Sequence, residues 1–79
     1  MSSIDVKRTL DCRGLRCPLP VLKTRQALEE LSAGEALEVC ADDPMSVIDL
    51  PAFGLRSGHR VTQTLDESGK MIFLVVKGT

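Results

Sequence analysis

The chain has 79 residues, of which 43% are hydrophobic and only two, Phe53 and Phe73, are aromatic. This length suits one small domain with a core of aliphatic side chains. Ten basic and eleven acidic residues give a net charge of −1, which argues against a dedicated nucleic-acid binder. Three cysteines are too few for a disulfide-stapled secreted scaffold, and no apolar run reaches the roughly 18 residues of a membrane helix. We expect a soluble, cytoplasmic protein.

Hydrophobic periodicity divides the chain into six elements. Alternating apolar residues indicate strands, and apolar residues three or four positions apart indicate helices. The predicted elements are a strand over 4–12, a helix over 19–31, a strand over 36–41, a helix over 44–57, and strands over 60–66 and 71–77 with a hairpin turn at 67–70. Strands joined by single helices are expected to pair in parallel, and the last two antiparallel. The order β-α-β-α-β-β predicts an α/β two-layer sandwich, with two helices packed on one face of a four-stranded mixed sheet.

Glycine, proline and aspartate mark the predicted helix ends. Gly34 stops the first helix, and Gly58 stops the second. Asp43 stands directly before a proline and is expected to cap the second helix. Pro51 lies in the middle of that helix and predicts a kink or a separate first turn.

Cys17 stands between Arg16 and Pro18, directly before the first predicted helix. The free N–H groups and the positive end of the dipole at a helix start favour an anion there, and Arg13 and Arg16 add positive charge. Both effects lower the pKa of a thiol and increase its nucleophilic thiolate fraction. Pro18 and Pro20 donate no hydrogen bond to the sulfur but stiffen the backbone that presents it. The pattern predicts an exposed, reactive cysteine.

The other two cysteines are expected to be structural. Cys40 lies inside a strand and Cys12 ends a strand on its apolar face, where cysteine acts as a small hydrophobe. A disulfide between Cys12 and Cys17 would instead give a redox or peroxide-sensing protein. A zinc site made from these cysteines and His59 is disfavoured, because their spacing matches no common ligand motif. We expect no metal and no bound cofactor.

Residues 11–20, Asp-Cys-Arg-Gly-Leu-Arg-Cys-Pro-Leu-Pro, resemble the Gly-Leu-x-Cys-Pro-x-Pro signature of the TusA-like (SirA-like) sulfur carrier proteins. Residues 41–44, 49–53 and 58–59 resemble further segments of that family, and the similarity runs from about residue 9 to residue 77. The resemblance implies a single sulfur carrier domain over 1–79 with the fold derived above. It also implies that Cys17 carries sulfur as a covalent persulfide.

The resemblance further implies partners and roles. A cysteine desulfurase loads Cys17 and a downstream protein takes the sulfur, so the protein is a sulfurtransferase-type relay rather than an independent turnover catalyst. We expect a monomer that binds neither nucleic acid nor a membrane. Cys17 is the catalytic residue, and the residues expected to support it are Gly14, Arg16, Pro18, Pro20, Arg13 and Asp43.

The sulfur acceptor is left open between pathways. Some family members feed tRNA thiolation, and others resemble suppliers for molybdenum cofactor maturation or dissimilatory sulfur metabolism. The tRNA-thiolation members tend to carry an arginine, a cysteine and an acidic residue where this chain has Ile48, Gly54 and Leu19. The alternative function is a regulatory interaction module in which Cys17 only caps a helix.

Overall fold

The computed structural model describes residues 6–65 and 70–78. Its elements are β1 (Val6–Asp11), α1 (Leu19–Leu28), β2 (Ala36–Ala41), α2 (Ser46–Ser57), β3 (Arg60–Leu65) and β4 (Met71–Val76). The predicted order of strands and helices is confirmed. The predicted strand residues 4, 5 and 66 and the turn residues 67–69 lie outside the described part of the chain.

The four strands form one sheet in the order β1-β2-β4-β3. β1 pairs in parallel with β2, and β3 pairs antiparallel with β4, both as predicted. The expected pairing of β2 with β3 is wrong, because β4 lies between them and is antiparallel to both. The sequence of β4 is wholly apolar, and this suits a central strand better than the polar residues of β3 would.

The core lies between one face of the sheet and the two helices. The largest fully buried side chains on the sheet are Leu37 and Val39 of β2 and Phe73 and Val75 of β4. The helix residues that pack against them are Ala27, Leu28, Leu50 and Phe53. Alternate residues of the same strands point to the other face, where Cys40 is half-buried. The two-layer architecture is therefore as predicted.

α1 ends at Leu28, three residues before its predicted end. The N–H groups of residues 29–31 bond to carbonyls only three residues back, which tightens the last turn. The Lys77 Nζ donates hydrogen bonds to the carbonyls of Leu28 and Leu31, at 2.8 and 2.7 Å. The end of the last strand therefore holds the end of the first helix.

α2 starts two residues later than predicted and continues through Pro51 to Gly58, which has a φ of +80°. Gly54 sets how closely this helix approaches β3. A Cβ atom on Gly54 would lie 2.6 Å from Val61 Cγ2 and 3.0 Å from the His59 carbonyl oxygen. A larger residue at this position would therefore force Val61 or the backbone at His59 to shift.

Candidate functional site

Cys17 lies in the loop between β1 and α1, and its side chain is exposed. Because β1 and β2 run in parallel, the loops that follow them leave the same edge of the sheet. The loop after β2 carries Asp42 and Asp43, so the strand pairing brings these carboxylates to the Cys17 loop.

Asp42 and Asp43 accept hydrogen bonds from two backbone N–H groups of the Cys17 loop. Asp42 Oδ1 accepts a hydrogen bond from Gly14 N at 3.0 Å, and Asp43 Oδ2 accepts one from Cys17 N at 2.7 Å. Asp43 Oδ1 also accepts from Met45 N at 3.2 Å, so it caps the turn that leads into α2. These bonds to Cys17 and Met45 lower the pKa of Asp43. The prediction that Asp43 caps the second helix is wrong, because the N-cap of α2 is Met45, which has no side-chain cap. Asp43 instead caps the turn before the helix and contacts the backbone of Cys17.

The carboxylate of Asp49, in the first turn of α2, lies beside the Cys17 thiol. Hydrogen bonding to Asp49 is the main cause that raises the pKa of Cys17 above its usual value, followed by partial desolvation and the charges of Asp49 and Asp43. The expectation of a lowered pKa is therefore wrong. The nearby carboxylates of Asp49 and Asp43 favour the protonated form of the thiol.

The start of α1 offers few hydrogen-bond donors to a thiolate. Pro18 and Pro20 have no N–H, and Leu19 N donates to the Arg16 carbonyl at 2.8 Å. The Cys17–Pro18 peptide bond is cis, and Pro18 occupies the N-cap position without a side-chain cap. Cys17 is therefore not the N-cap of α1, contrary to the cap role that the regulatory alternative assigned to it.

Both arginines of the loop interact with aspartates. Arg13 Nε and Nη2 donate to Asp11 Oδ1 and Oδ2, each at 2.9 Å, and this lowers the pKa of Asp11 to about 2. The charge of Arg16 contributes to the lowered pKa of Asp43. Their expected lowering of the thiol pKa is outweighed by the effect of the carboxylates, and the side chain of Arg16 is exposed.

A surface depression of about 180 Å³ opens beside the thiol. Its lining residues are Cys17, Pro18, Val21, Asp49, Ala52 and Arg56. Asp49 and Arg56 are not among the site residues that the sequence motif predicts. Their separation of seven residues places both side chains on one face of a helix, and this spacing was the sequence signal that could have predicted them.

The remaining cysteines and His59 lie apart from the depression. Cys12 is fully buried, as predicted, and burial raises the pKa of its thiol. His59 follows the far end of α2, where its ring lies 5.6 Å from that of Phe53 and Nδ1 accepts from Gly78 N at 3.0 Å. Within residues 6–65 and 70–78, no three His, Cys, Asp or Glu side chains are grouped to hold a metal ion.

A family model described as "Sulfurtransferase TusA" matches residues 8–77. The chain belongs to the TusA family. A "Sulfur carrier protein TusA" from Allochromatium vinosum is 41% identical over 73 residues, covering 92% of this chain and 96% of that protein. The "Putative sulfur carrier protein YrkI" of Bacillus subtilis is 38% identical over 71 residues, covering 90% of this chain and 95% of that protein.

Structural comparison agrees with the TusA family. The crystal structure of a SirA-like protein from Desulfitobacterium hafniense matches with a TM-score of 0.80 at 29% identity, covering 91% of this chain and 99% of that one. This likeness confirms the predicted fold class. The helices that the structure describes are all too short or too polar to span a bilayer.

Proposed function

We propose that this protein is a sulfur carrier that holds sulfane sulfur as a persulfide on Cys17. The observation that carries the proposal is the exposed side chain of Cys17. Its loop is held by a hydrogen bond from Cys17 N to Asp43 Oδ2, at 2.7 Å. Cys12 is fully buried and Cys40 is half-buried, so Cys17 is the most accessible of the three thiols. Both curated relatives named above are called sulfur carriers, and each aligns over at least 90% of this chain.

The transfer chemistry is an exchange at divalent sulfur. The Cys17 thiolate attacks the outer sulfur of a persulfide on a cysteine desulfurase, and a new S–S bond forms at Cys17 Sγ. The S–S bond of the donor breaks, and its electron pair leaves with the donor's cysteine sulfur as a thiolate. No net oxidation occurs, and the Cys17 proton passes to solvent. Delivery to a downstream protein repeats the step with Cys17 as the leaving group.

The supporting residues act on the loop rather than on the sulfur. Gly14 has a φ of +84°, which favours glycine, and its N–H binds Asp42. Pro18 and Pro20 form the start of α1, and Arg13 holds the end of β1 through Asp11. No metal or organic cofactor takes part in this scheme.

The proposed acceptor belongs to molybdenum cofactor and molybdoenzyme maturation or to tRNA thiolation. Ile48 stands next to Asp49 in the chain and is 62% exposed, where tRNA-thiolation members tend to carry an arginine. This difference argues against tRNA thiolation and leaves molybdenum cofactor maturation and dissimilatory sulfur metabolism as acceptor pathways.

A mass measurement tests the carrier function. After incubation with a cysteine desulfurase and free cysteine, the protein should gain about 32 Da, the mass of one sulfur, on the peptide that contains Cys17. Cys17→Ser should gain nothing, and Cys40→Ser, the matched control, should gain as much as the wild type. An unmodified wild type, or equal labelling of Cys17→Ser, would overturn the proposal.

A further inference from the structure

The two helices cover one face of the sheet, and their own outer surface carries apolar side chains. Within residues 6–65 and 70–78, all but one of the exposed large hydrophobic side chains lie on these helices or in the turn that leads into α2. They are Leu19, Leu22, Met45, Val47, Ile48 and Leu55. Single exposed apolar residues are ordinary, but a contiguous apolar patch marks an interaction surface.

α2 is apolar on its outer side as well as on the side that faces the sheet. Intervals of three and four residues align an outer stripe made of Met45, Ile48, Ala52 and Leu55. A helix that is apolar on all sides is normally covered on all sides. In the part of the chain that the structure describes, no element packs over this stripe, and three of its four side chains are exposed.

The stripe adjoins the depression beside the Cys17 thiol. Ala52 belongs to the stripe and also lines the depression, whose opposite wall includes Pro18. Leu22 follows Pro18 by one turn of α1, and its N–H donates to the Pro18 carbonyl at 3.1 Å. The exposed and lining side chains form one apolar surface around the sulfur, the thiol face, which consists of Pro18, Leu22, Met45, Ile48, Ala52 and Leu55.

Cations border the thiol face. Arg56 lines the depression, Arg25 lies on α1 and Arg16 precedes Cys17, and all three side chains are exposed. None of the three forms an ion pair within the described residues. Asp49 also lines the depression but is half-buried. The charge at this surface therefore complements a partner that presents carboxylates.

We propose that the thiol face is the docking surface for the protein that donates sulfur to Cys17, and that this partner presents apolar side chains flanked by carboxylates. The inference rests on the proposed function and adds the residues that recognise the donor. A protein occupant fits better than a membrane, because the face surrounds a sulfur atom that must meet a second sulfur atom at bonding distance. A second copy of the chain would bring a second set of the same cations to the face.

The experiment measures loading of Cys17 by a cysteine desulfurase and free cysteine, at increasing concentrations of the carrier. Leu22→Ser and Ile48→Ser should each lower kcat/KM about tenfold, mainly through a higher KM, because each removes an apolar contact near the centre of the interface. Val6→Ser is the matched control and should load like the wild type. Val6 is 45% exposed, against 44% for Leu22, but it stands at the start of β1, about 17 Å from the strand end that leads to Cys17.

Arg56→Glu tests the charge of the partner. The reversal should lower kcat/KM about tenfold at low salt, and the difference should shrink at about 0.5 M NaCl, because salt screens exposed charges. Arg60→Glu is the control, because Arg60 is an exposed arginine at the start of β3, at the opposite end of the sheet from the Cys17 loop. Loading of Arg56→Glu at the wild-type rate or faster would overturn the assignment of an acidic partner.

Reaction with 4,4′-dithiodipyridine, a small neutral disulfide, separates docking from thiol chemistry. Its rate at Cys17 should be unchanged in Leu22→Ser and Ile48→Ser. The inference fails if both variants load like the wild type, if Val6→Ser loses as much, or if the small disulfide slows equally. It also fails if the variants lose only binding to phosphatidylglycerol vesicles, or only self-association in sedimentation, which would assign the face to a membrane or to a second copy. A wild type that gains no sulfur would instead contradict the carrier function itself, and the inference with it.

Discussion

Opposing electrostatic effects act on the pKa of the Cys17 thiol. Its position before a helix and beside two arginines indicates a stabilised thiolate, yet the neighbouring carboxylate of Asp49 raises the pKa of the Cys17 thiol. The helix start contributes little because two of its first residues are prolines, and the arginines interact with aspartates. The exposure of Cys17 was predictable from the sequence. The direction of its pKa shift was not, because it depends on Asp49, which the fold brings beside the thiol from α2.

Asp43 gives the loop a dependence on pH. Its pKa in the folded state lies below the value of about 3.9 expected for an unfolded chain, because it accepts hydrogen bonds from Cys17 and Met45. The stability it contributes is therefore fully present above that value and is lost as the pH falls through its lower, folded-state pKa.

Asp43→Asn should accordingly lower the urea midpoint at pH 7, and the difference from the wild type should narrow below about pH 4 as the native carboxylate becomes protonated. Urea unfolding at a series of pH values between 2 and 7 measures this. A difference that stays constant over the whole range would show that the Asp43 charge does not contribute.

Among the elements, the bounds of β2 and the start of α1 were more predictable than the end of α1 and the order of the strands in the sheet. The hydrophobic periodicity predicted the observed bounds of β2, and the prolines predicted the observed start of α1. The end of α1 was predicted too late because Lys77, 49 residues beyond Leu28, binds the last carbonyls. The position of β4 between β2 and β3 was missed for a similar reason, since neighbours in sequence were taken as neighbours in the sheet.

Gly54 provides a test of how α2 packs on β3. Alanine at this position gains about 1 kcal/mol of helix propensity, but the added carbon meets the His59 carbonyl at 3.0 Å and the Val61 side chain at 2.6 Å. Because overpacking costs about 1–3 kcal/mol, Gly54→Ala should lower the free energy of unfolding by about 1 kcal/mol.

Urea denaturation compares this variant with Leu55→Ala, on the same helix. Leu55 is 86% exposed, so its truncation should change stability by no more than about 0.5 kcal/mol. Gly54→Ala would have to be at least as stable as the wild type to contradict the packing argument.

The whole molecule buries one face of its sheet, and stability should depend on that face. Phe73 is fully buried between the sheet and the helices, whereas Ile72, its neighbour in β4, points to the other face and is half-buried. Phe73→Ala should cost about 3–5 kcal/mol, a large part of the total for a domain of this size.

Ile72→Ala is the matched comparison and should cost about 1–2 kcal/mol, because it removes less buried surface. Circular dichroism during thermal unfolding should show a low melting temperature or no cooperative transition for Phe73→Ala, and a modest decrease for Ile72→Ala. Equal effects of the two substitutions would mean that both faces of the sheet are buried alike, for example by association of two molecules.

The hydrogen bond between Cys17 N and Asp43 fixes the backbone at the reactive residue. Under the proposed function, a sulfur atom on Cys17 would extend only about 2 Å beyond Sγ, the length of an S–S bond, with no long flexible tether. Donor and acceptor would then both have to approach the same small area, so they would compete for it. Delivery would be a sequence of two separate encounters, and an excess of the acceptor should slow loading by the donor.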